Sequence, residues 1–276
     1  MSIKLHFKKK MSVYKYNPEG STLRRDQKKL LEMLQYVSDL CKAYNIQYWL
    51  SSGTLLGGAR HQGFIPWDDD MDIVMLKKDY KKLEKILCSI DDSQFVFHCM
   101  KTDVDYIQYF GKFRKRKGKI TSKSLRYNYY KWAGIGFDIF AIEKTNYLSA
   151  RIAELLYHKM QRPTQYIRIA IIRKPLIRIV EAINTFFFHP ILRLIGKINP
   201  RDEYHYVLGT GWAKHTFYMK DTFPLSTLDF EGIKMPCPHN TDAYLTNVYG
   251  NWHEAPTHKE ILKTIQYIDE IQKIDK

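Results

Sequence analysis

Two aspartates at the start of an apolar run constrain this chain more than any other feature. Asp70 and Asp72 precede residues 73–76, which are all strand formers, and side chains two apart in a strand point to the same face. Carboxylates held on one face repel each other unless a cation lies between them, and hard oxygen ligands suit Mg²⁺ or Mn²⁺. The spacing therefore predicts a divalent-metal site with Asp70 and Asp72 as ligands.

A stretch of small residues just upstream predicts a loop that approaches a phosphate group. Glycines let the backbone come close to a ligand, while N–H groups and hydroxyls donate to phosphate oxygens. Either of two turns, 52–54 or 57–58, fits this role, and basic side chains follow them. The candidate substrate-binding residues of this stretch are Ser52, Gly53, Thr54, Gly57, Gly58 and Arg60.

Other interpretations of the acidic segment are weaker. An isolated Asp-x-Asp is commonly a solvated turn or a helix cap, and paired glycines commonly mark turns. A calcium-binding EF-hand loop is excluded, because its sixth and twelfth positions require Gly and Glu but hold Ile73 and Asp79 here. The metal-site interpretation depends on the glycine stretch, the Pro66-Trp67 turn and the two carboxylates occurring together.

Residues 49–74 resemble the signature of the LicD/fukutin-like family of phosphotransferases, a branch of the nucleotidyltransferase superfamily. That signature places Gly-Gly or Gly-Ser after a hydrophobic residue and, after a spacer, an Asp-hydrophobic-Asp pair; this chain has Leu56-Gly57-Gly58 and Asp70-Met71-Asp72. The resemblance implies a third carboxylate on a later strand, which matches Asp138 within residues 134–142. Asp70, Asp72 and Asp138 are therefore the expected catalytic and metal-binding residues.

The resemblance also implies a basic strand between the two acidic strands. Lys112 and Arg114 alternate with aromatic residues there and are candidates for binding the pyrophosphate of a nucleotide donor. Lys115, Arg116, Lys117 and Lys119 are expected to be a solvated hairpin tip. Further on, an aromatic cluster is expected either to pack in the core or to cage a quaternary ammonium by cation–π attraction; its members are Tyr127, Tyr129, Tyr130 and Trp132.

Residues 222–256 resemble the closing module of the same family, with a hairpin turn at Glu231-Gly232 and a short helix ending at Gly250. The resemblance covers residues 23–256 and is weak over 148–215. The expected fold is α/β (α+β), a nucleotidyltransferase-type mixed sheet flanked by helices, with a helical insertion. Its expected parts are a basic N-terminal tail (1–20), the catalytic core (21–147), a basic helical insertion (148–215) and the C-terminal module (216–276).

Periodicity predicts a helix over residues 23–44 with Thr22 as its N-cap, and a strand over 46–50 that delivers the phosphate loop. Prolines and charges interrupt residues 166–198, which alternate bulky apolar residues with arginines. This pattern is typical of a helix lying on anionic lipid, although packing on the core explains it equally well. The uncharged run 182–192 is shorter than the ~20 residues that a transmembrane helix requires, and Pro175 and Pro190 are expected to break or kink the helix.

Composition agrees with these expectations. The 276 residues carry a net charge of +15, which favours anionic partners such as nucleotide phosphates, acidic glycans, nucleic acid or an anionic membrane surface. Four cysteines without C-x-x-C spacing indicate neither a zinc site nor a disulfide scaffold, and the N-terminus lacks the apolar region of a signal peptide. A cytoplasmic location, with peripheral association at the inner face of the membrane, is expected.

The function implied by the resemblance is metal-dependent transfer of a phospho-alcohol, phosphocholine first, from a CDP-activated donor. The expected acceptor is a sugar hydroxyl of a cell-surface glycan such as lipopolysaccharide, capsule or teichoic acid, either free or lipid-linked. The expected cofactor is Mg²⁺ or Mn²⁺, the expected donor CDP-choline, and nucleic acid is not an expected partner. The alternatives are nucleotidyl transfer to a small molecule or RNA, and a non-catalytic basic protein that binds membranes or nucleic acid.

Overall fold

A mixed β-sheet forms the centre of the protein. The computed structural model describes residues 16–118, 129–198, 201–254 and 256–271. Five strands follow the order β1-β2-β5-β4-β3, β6 pairs with β5, β7 pairs with β6, and β8-β9 is a separate hairpin. The strands are β1 (Trp49–Leu50), β2 (Asp72–Leu76), β3 (Phe95–His98), β4 (Gly111–Lys115), β5 (Gly136–Lys144), β6 (Glu203–Tyr206), β7 (Phe217–Tyr218), β8 (Ser226–Phe230) and β9 (Ile233–Cys237).

Helices pack around this sheet, as expected for a nucleotidyltransferase-type fold. They are α1 (Thr22–Ala43), α2 (Ser52–His61), α3 (Lys77–Ser89), α4 (Tyr147–Leu156), α5 (Ala170–Ile183), α6 (His189–Lys197), α7 (Met219–Thr222), α8 (Thr241–Tyr249) and α9 (His258–Ile271). A π turn (Tyr157–Gln161) and a 3₁₀ turn (Arg162–Tyr166) follow α4, and a second π turn (Asn184–Phe188) joins α5 to α6. The predicted mixed sheet flanked by helices is confirmed.

The pairing of β2 with β5 sets the geometry of the sheet. These two strands run parallel with Asp72 opposite Asp138, and β4 runs antiparallel to β5 with Lys112 opposite Asp138. Parallel strands are buried on both faces, which explains the uninterrupted apolar run after Asp72. The register therefore places two carboxylates and one ammonium side by side across three neighbouring strands.

Helix α1 packs its apolar stripe on the sheet. Its buried apolar residues are Leu30, Met33, Leu34, Val37 and Cys41, spaced as one face of an amphipathic helix requires. Ser21, rather than the predicted Thr22, is the N-cap, because its side chain accepts a hydrogen bond from the backbone N–H of Arg24 at 3.0 Å.

The predicted phosphate loop is a helix, so the loop interpretation was wrong. Strand β1 covers only Trp49–Leu50, and α2 begins at Ser52 and continues through both predicted turns. Gly57 lies where the helix touches the returning backbone: a Cβ there would be 2.5 Å from the Gly63 carbonyl oxygen and 2.9 Å from the Ile65 nitrogen. Glycine is needed at this position for close packing rather than for a turn.

The segment predicted as a helical insertion is helical over residues 147–166 and 170–197, with an extended stretch at 167–169 between them, and residues 203–206 then return to the main sheet as β6. Neither Pro175 nor Pro190 breaks the second helical run. Pro175 lies inside α5, and the π turn precedes Pro190. Such turns occur where the i→i−4 hydrogen-bond ladder is disturbed, which explains how the chain remains helical through Pro190.

The C-terminal module packs against α2 and α1. Its predicted hairpin is confirmed, with Glu231 and Gly232 both at positive φ (52° and 81°) in the two-residue turn. The Glu231 carboxylate accepts hydrogen bonds from Arg24 at 3.0 and 2.6 Å and from the backbone N–H of Phe64 at 3.2 Å. The predicted short helix ends at Gly250, also as expected.

We predict that Gly57→Ala destabilises the fold. Alanine is the better helix former, but the added methyl would overlap two backbone atoms that cannot move as a side chain can, so we expect the free energy of unfolding to fall by about 1–3 kcal/mol. Urea unfolding measures this change. Ala59→Ser, at an exposed position of the same helix, is the control; an unchanged midpoint for Gly57→Ala would contradict the packing argument.

Candidate active site

Three carboxylates converge near the N-terminal ends of the neighbouring strands β2 and β5. Asp70 lies two residues before Asp72, the first residue of β2, and Asp138 is the third residue of β5. Each contributes one oxygen to a group whose atoms all lie within 4.8 Å of one another. Asp70 is exposed, Asp72 is half-buried and Asp138 is buried, so the group opens to solvent on one side only.

Backbone contacts hold these carboxylates in place. The N–H of Asp72 donates to the Thr54 hydroxyl at 2.8 Å, which ties β2 to α2. The N–H of Met71 donates to the Asp70 carboxylate at 2.9 Å, and the carbonyl of Met71 accepts from the N–H of Asp138 at the same distance. Asp70 stands just outside the strand, and these contacts of Met71 hold it beside the other two carboxylates.

The carboxylates perturb one another's ionisation. Limited access to bulk water and the neighbouring Asp138 raise the pKa of Asp70 to about 6, and the same two causes, together with Asp70 itself, raise the pKa of Asp72 well above its usual value. The Lys112 ammonium, in contact with Asp138, opposes both shifts. The protein therefore holds closely spaced negative charges that one lysine only partly offsets.

These residues fit a divalent cation. Carboxylate oxygens are the ligands that Mg²⁺ and Mn²⁺ prefer, and a bound cation relieves the repulsion that raises the pKa values of Asp70 and Asp72. The open side leaves room for water or phosphate oxygens to complete the coordination. Asp70, Asp72 and Asp138 would hold the ion, as the sequence predicts.

The predicted basic residues lie in different surroundings. Lys112 lines the cleft beside the carboxylates. Arg114, two residues later on β4, is 1% exposed, and its guanidinium donates to the carbonyl of Gly134 at 2.9 Å. Arg60 donates to the carbonyl of Trp252 in the C-terminal module. Of the three, the structure brings only Lys112 to the carboxylates.

The small residues of α2 also divide into two groups. Ser52 lines the cleft and has a positive φ of 49°, and a Cβ on Gly53 would lie 2.8 Å from the Asp68 carboxylate, so the first turn of the helix lies close to the acidic segment. Gly57 and Gly58 are buried one turn later, and Gly58 faces Leu228 of the hairpin. Their position indicates packing rather than phosphate contact.

The cleft next to the carboxylates has a volume of about 910 Å³, and much of its lining was absent from the sequence-based site. These additional residues come from the connection between β3 and β4, from β5, the helical segment, the β6 region and α8, which are far apart in the sequence. They include the polar side chains Glu154, His158, Arg162, Gln165, Thr210 and His215, and the aromatic side chains Tyr106, Phe110, Phe140, Tyr157, Tyr166, Tyr206, Trp212 and Tyr249. The density of tyrosine and tryptophan in the sequence was the available signal, but it does not show which rings meet.

The predicted aromatic cluster is divided in the same way. Tyr130 lines the cleft, whereas Trp132 packs edge-on against His98 at 5.5 Å and Tyr129 lies under the Arg173 guanidinium at 3.7 Å. Tyr127, like Lys119, lies outside the described residues. Of the three described rings of this cluster, only Tyr130 therefore lines the cleft.

Comparison with known proteins agrees with this site. Residues 45–170 match the family model described as LicD/FKTN/FKRP, nucleotidyltransferase domain, a range that includes all three carboxylates. Residues 45–170, a little under half of the chain, are thus similar to the nucleotidyltransferase domain of the LicD/FKTN/FKRP family. The resemblance found in the sequence is confirmed.

Individual relatives match over shorter stretches. The chain is 49% identical over 61 residues to the lipopolysaccharide cholinephosphotransferase LicD of Haemophilus influenzae, covering 22% of this chain and 23% of the relative. It is 49% identical over 63 residues to an uncharacterized protein of Rickettsia prowazekii (22% and 24%), and 40% identical over 57 residues to the human ribitol 5-phosphate transferase FKRP (21% and 12%). Each match therefore spans a quarter or less of the curated relative's own length.

We predict that Mg²⁺ stabilises the protein through the three carboxylates. A ligand at about 100 times its dissociation constant adds about 2.7 kcal/mol to the free energy of unfolding, which thermal unfolding with and without Mg²⁺ measures. Asp72→Asn should abolish this gain. Without metal, it should unfold at the same or a higher temperature than wild type, because one repelling charge is removed.

The same repulsion gives a pH dependence in metal-free buffer. A carboxyl group with a raised pKa keeps its proton longer in the folded state, so its destabilising effect develops as the pH rises from about 4, the unfolded value, to about 6. The difference in stability between wild type and Asp70→Asn should therefore grow over this range. Asp229→Asn, on the hairpin, is the control and should keep the full Mg²⁺ effect; an equal Mg²⁺ effect in Asp72→Asn would contradict the assigned site.

Proposed function

We propose that this protein transfers a phospho-alcohol group from a CDP-activated donor to a sugar hydroxyl of a cell-surface glycan, in a reaction that depends on Mg²⁺ or Mn²⁺. The observation that carries the proposal is the group of three carboxylates beside Lys112, in a cleft with room for a nucleotide and a second substrate. The family match supports phosphotransfer, and the names of the relatives suggest phosphocholine or ribitol phosphate as the transferred group.

The chemistry needs few protein groups. The oxygen of the acceptor hydroxyl attacks the phosphorus atom that bears the alcohol, the bond from that phosphorus to the bridging oxygen breaks, and CMP leaves with the electron pair. A carboxylate such as Asp138, or water, accepts the hydroxyl proton. A divalent cation held by the aspartates would neutralise charge on the pyrophosphate. Positioning and electrostatics supply most of the rate in such transfers.

Lys112 is the residue best placed to bind the donor phosphates. Its ammonium contacts Asp138 and faces the cleft, so a pyrophosphate bound at the carboxylates would lie within its reach. Lysine acts as a point charge toward phosphate. The pairing with Asp138 also orients the side chain before the substrate binds.

Phosphocholine is the first candidate for the transferred group, because of the rings that line the cleft. A quaternary ammonium is attracted to the faces of tyrosine and tryptophan rings. Trp212, with Tyr206 at 6.1 Å and Phe140 at 5.6 Å between ring centroids, is one such surface in the cleft. Uncharged alcohols such as ribitol would depend on hydrogen bonds from polar cleft residues instead.

We predict that the protein releases CMP from at least one member of a panel containing CDP-choline, CDP-ethanolamine, CDP-glycerol and CDP-ribitol, with glycan acceptor present. Asp70→Asn or Asp72→Asn should lower turnover by at least about a hundredfold, as the loss of a metal ligand does, and excess EDTA should stop the reaction. The assay measures CMP and pyrophosphate separately.

The product decides between this proposal and nucleotidyl transfer. Pyrophosphate release from CTP onto a small molecule or RNA would favour nucleotidyl transfer on the same carboxylates, whereas full activity in Asp72→Asn would exclude both. Asp229→Asn, which alters an exposed carboxylate paired with Lys234, controls for a general effect of removing a negative charge.

We predict that substitution of Lys112 mainly affects donor binding, whereas substitution of Arg114 mainly affects stability. Lys112→Ala should weaken donor binding by on the order of 1.5–3 kcal/mol, the range for a charged hydrogen bond, with little change in unfolding when bound Mg²⁺ offsets the carboxylate charges. Arg114→Ala should instead lower the free energy of unfolding by about 2 kcal/mol or more, because it empties a buried site and removes the donor to the Gly134 carbonyl. Calorimetric titration and urea unfolding of both variants separate the two effects; weakened donor binding in a stably folded Arg114→Ala protein would contradict this assignment.

A further inference from the structure

The helical run 170–197 presents two different faces. One face is turned toward the catalytic domain and carries a regular buried stripe. This stripe consists of Arg173, Ile177, Val180, Asn184, His189, Leu192 and Gly196. Its contacts include Ile177 in a cluster with Ile107 and Tyr157, and Gly196 against Thr145.

The other face is apolar and exposed. A second stripe runs parallel to the buried one at the same spacing, and Ile171 and Phe186 are 83% and 81% exposed. Its large exposed members are Ile172, Ile179, Ile183, Phe186, Phe187, Ile191, Leu194, Ile195 and Ile198. A contiguous apolar surface of this extent is rare on a protein that stays fully in water, and it marks a protein or membrane contact.

Basic residues border this apolar face. Residues 147–198 contain nine lysines and arginines but only two acidic residues, Glu154 and Glu181. Lys174, Arg178 and Lys197 are exposed along the run itself. Bulky apolar side chains beside a basic margin are complementary to an anionic lipid surface, whose interior accepts the former and whose headgroups attract the latter.

The run is fastened to the catalytic domain near both ends. Arg173 donates to Asp105 at 2.8 Å with both side chains buried, and Arg193 donates to Glu143 at 2.8 Å. Among the described residues this is the one helical run long and apolar enough to cross a membrane by length and composition. Crossing would require both ion pairs to break and charged partners to be left unpaired, which costs several kcal/mol per buried pair.

The cleft opens beside this surface. Tyr166 lines the cleft and is 62% exposed, and the chain continues directly into the exposed Ile169 and Ile171. His158, Arg162 and the carboxylates line the same cleft. The rim of the cleft and the apolar face are thus joined through one short stretch of chain.

We propose that this face is a membrane-docking surface: the run 170–197 lies in the plane of an anionic bilayer, its apolar stripe in the acyl boundary and its basic margin at the headgroups, while the catalytic domain stays in water. The rim at Tyr166 then lies at the level of the headgroups. If the proposed function holds, a lipid-linked sugar acceptor can reach the cleft without leaving the bilayer.

Vesicle flotation of the full chain tests the docking surface independently of catalysis. Vesicles of phosphatidylcholine containing about a third phosphatidylglycerol should carry the protein, pure phosphatidylcholine vesicles should carry much less, and raising the salt from about 0.05 to 1 M should release most of it, as screening requires. Phe186→Glu/Phe187→Glu should lower the fraction bound to anionic vesicles by about tenfold or more. Lys174→Gln/Lys197→Gln should lower it less and reduce the salt dependence.

Two matched variants on α9 serve as controls. Leu262→Glu places a charge at an exposed apolar position of another helix, and Lys259→Gln/Lys263→Gln removes two exposed lysines there; both should bind vesicles like wild type. The proposal is overturned if wild type binds neither vesicle at low salt, or if the phenylalanine variant binds normally. It is also overturned if alkaline carbonate fails to extract the protein, which would indicate a spanning helix. Sedimentation equilibrium that shows a dimer broken by Phe186→Glu/Phe187→Glu would overturn it too, because a second copy would then cover the face.

Discussion

The parallel pairing of β2 and β5 is the constraint on which the rest of the site depends. It places Asp72 beside Asp138 at a fixed spacing, and the segment just before β2 adds Asp70. The arrangement opposes stability, since like charges are held together away from bulk water. It persists because the residues that follow in both strands are buried, and a one-residue slip would turn this apolar set away from its packing partners. Hydrophobic packing therefore maintains an electrostatic conflict that a divalent cation can resolve.

Strand β5 also joins the metal site to the helical segment. Glu143, five residues after Asp138, accepts hydrogen bonds from Arg193 at 2.8 Å and from the backbone N–H of Leu208 at 3.1 Å, and it pairs with Lys77. Burial alone would raise its pKa, but the Arg193 and Lys77 partners hold the pKa of Glu143 below its usual value. The helix α6 is thus attached to the strand that carries a proposed metal ligand. Together with the Arg173–Asp105 pair, Glu143 therefore fixes the insertion relative to the carboxylates.

The sequence predicts those features that depend on residues close together in the chain. The Asp70 and Asp72 pair, the Glu231-Gly232 hairpin and the helix ending at Gly250 follow from short segments with strong signals, whereas Asp138 and the mixed sheet follow from the family resemblance. Gly57 and Gly58 misled the sequence interpretation because glycine serves both in turns and in close helix packing, and only the distance to Gly63 and Leu228 distinguishes these uses. The alternation of Lys112 and Arg114 likewise predicts that both side chains face one side of β4. It does not predict that the Gly134 carbonyl and the surrounding side chains enclose Arg114. The wall formed by Arg162, Tyr206, Trp212 and His215 depends on contacts between distant segments, which periodicity does not encode.

The π turn before Pro190 connects the packing of the helical run to its exposed face. Buried positions on the run are three or four residues apart except across this turn, where Asn184 and His189 are five apart. In a regular α-helix that extra residue would rotate the following stripe by about 100°, and Leu192 and Gly196 would leave their contacts with the catalytic domain. The wider turn absorbs the residue, so both the buried stripe and the exposed apolar stripe next to it continue to Lys197. The π turn that accommodates Pro190 therefore keeps the exposed apolar surface continuous, as docking on a membrane would require. It also keeps this surface at a fixed position relative to the cleft.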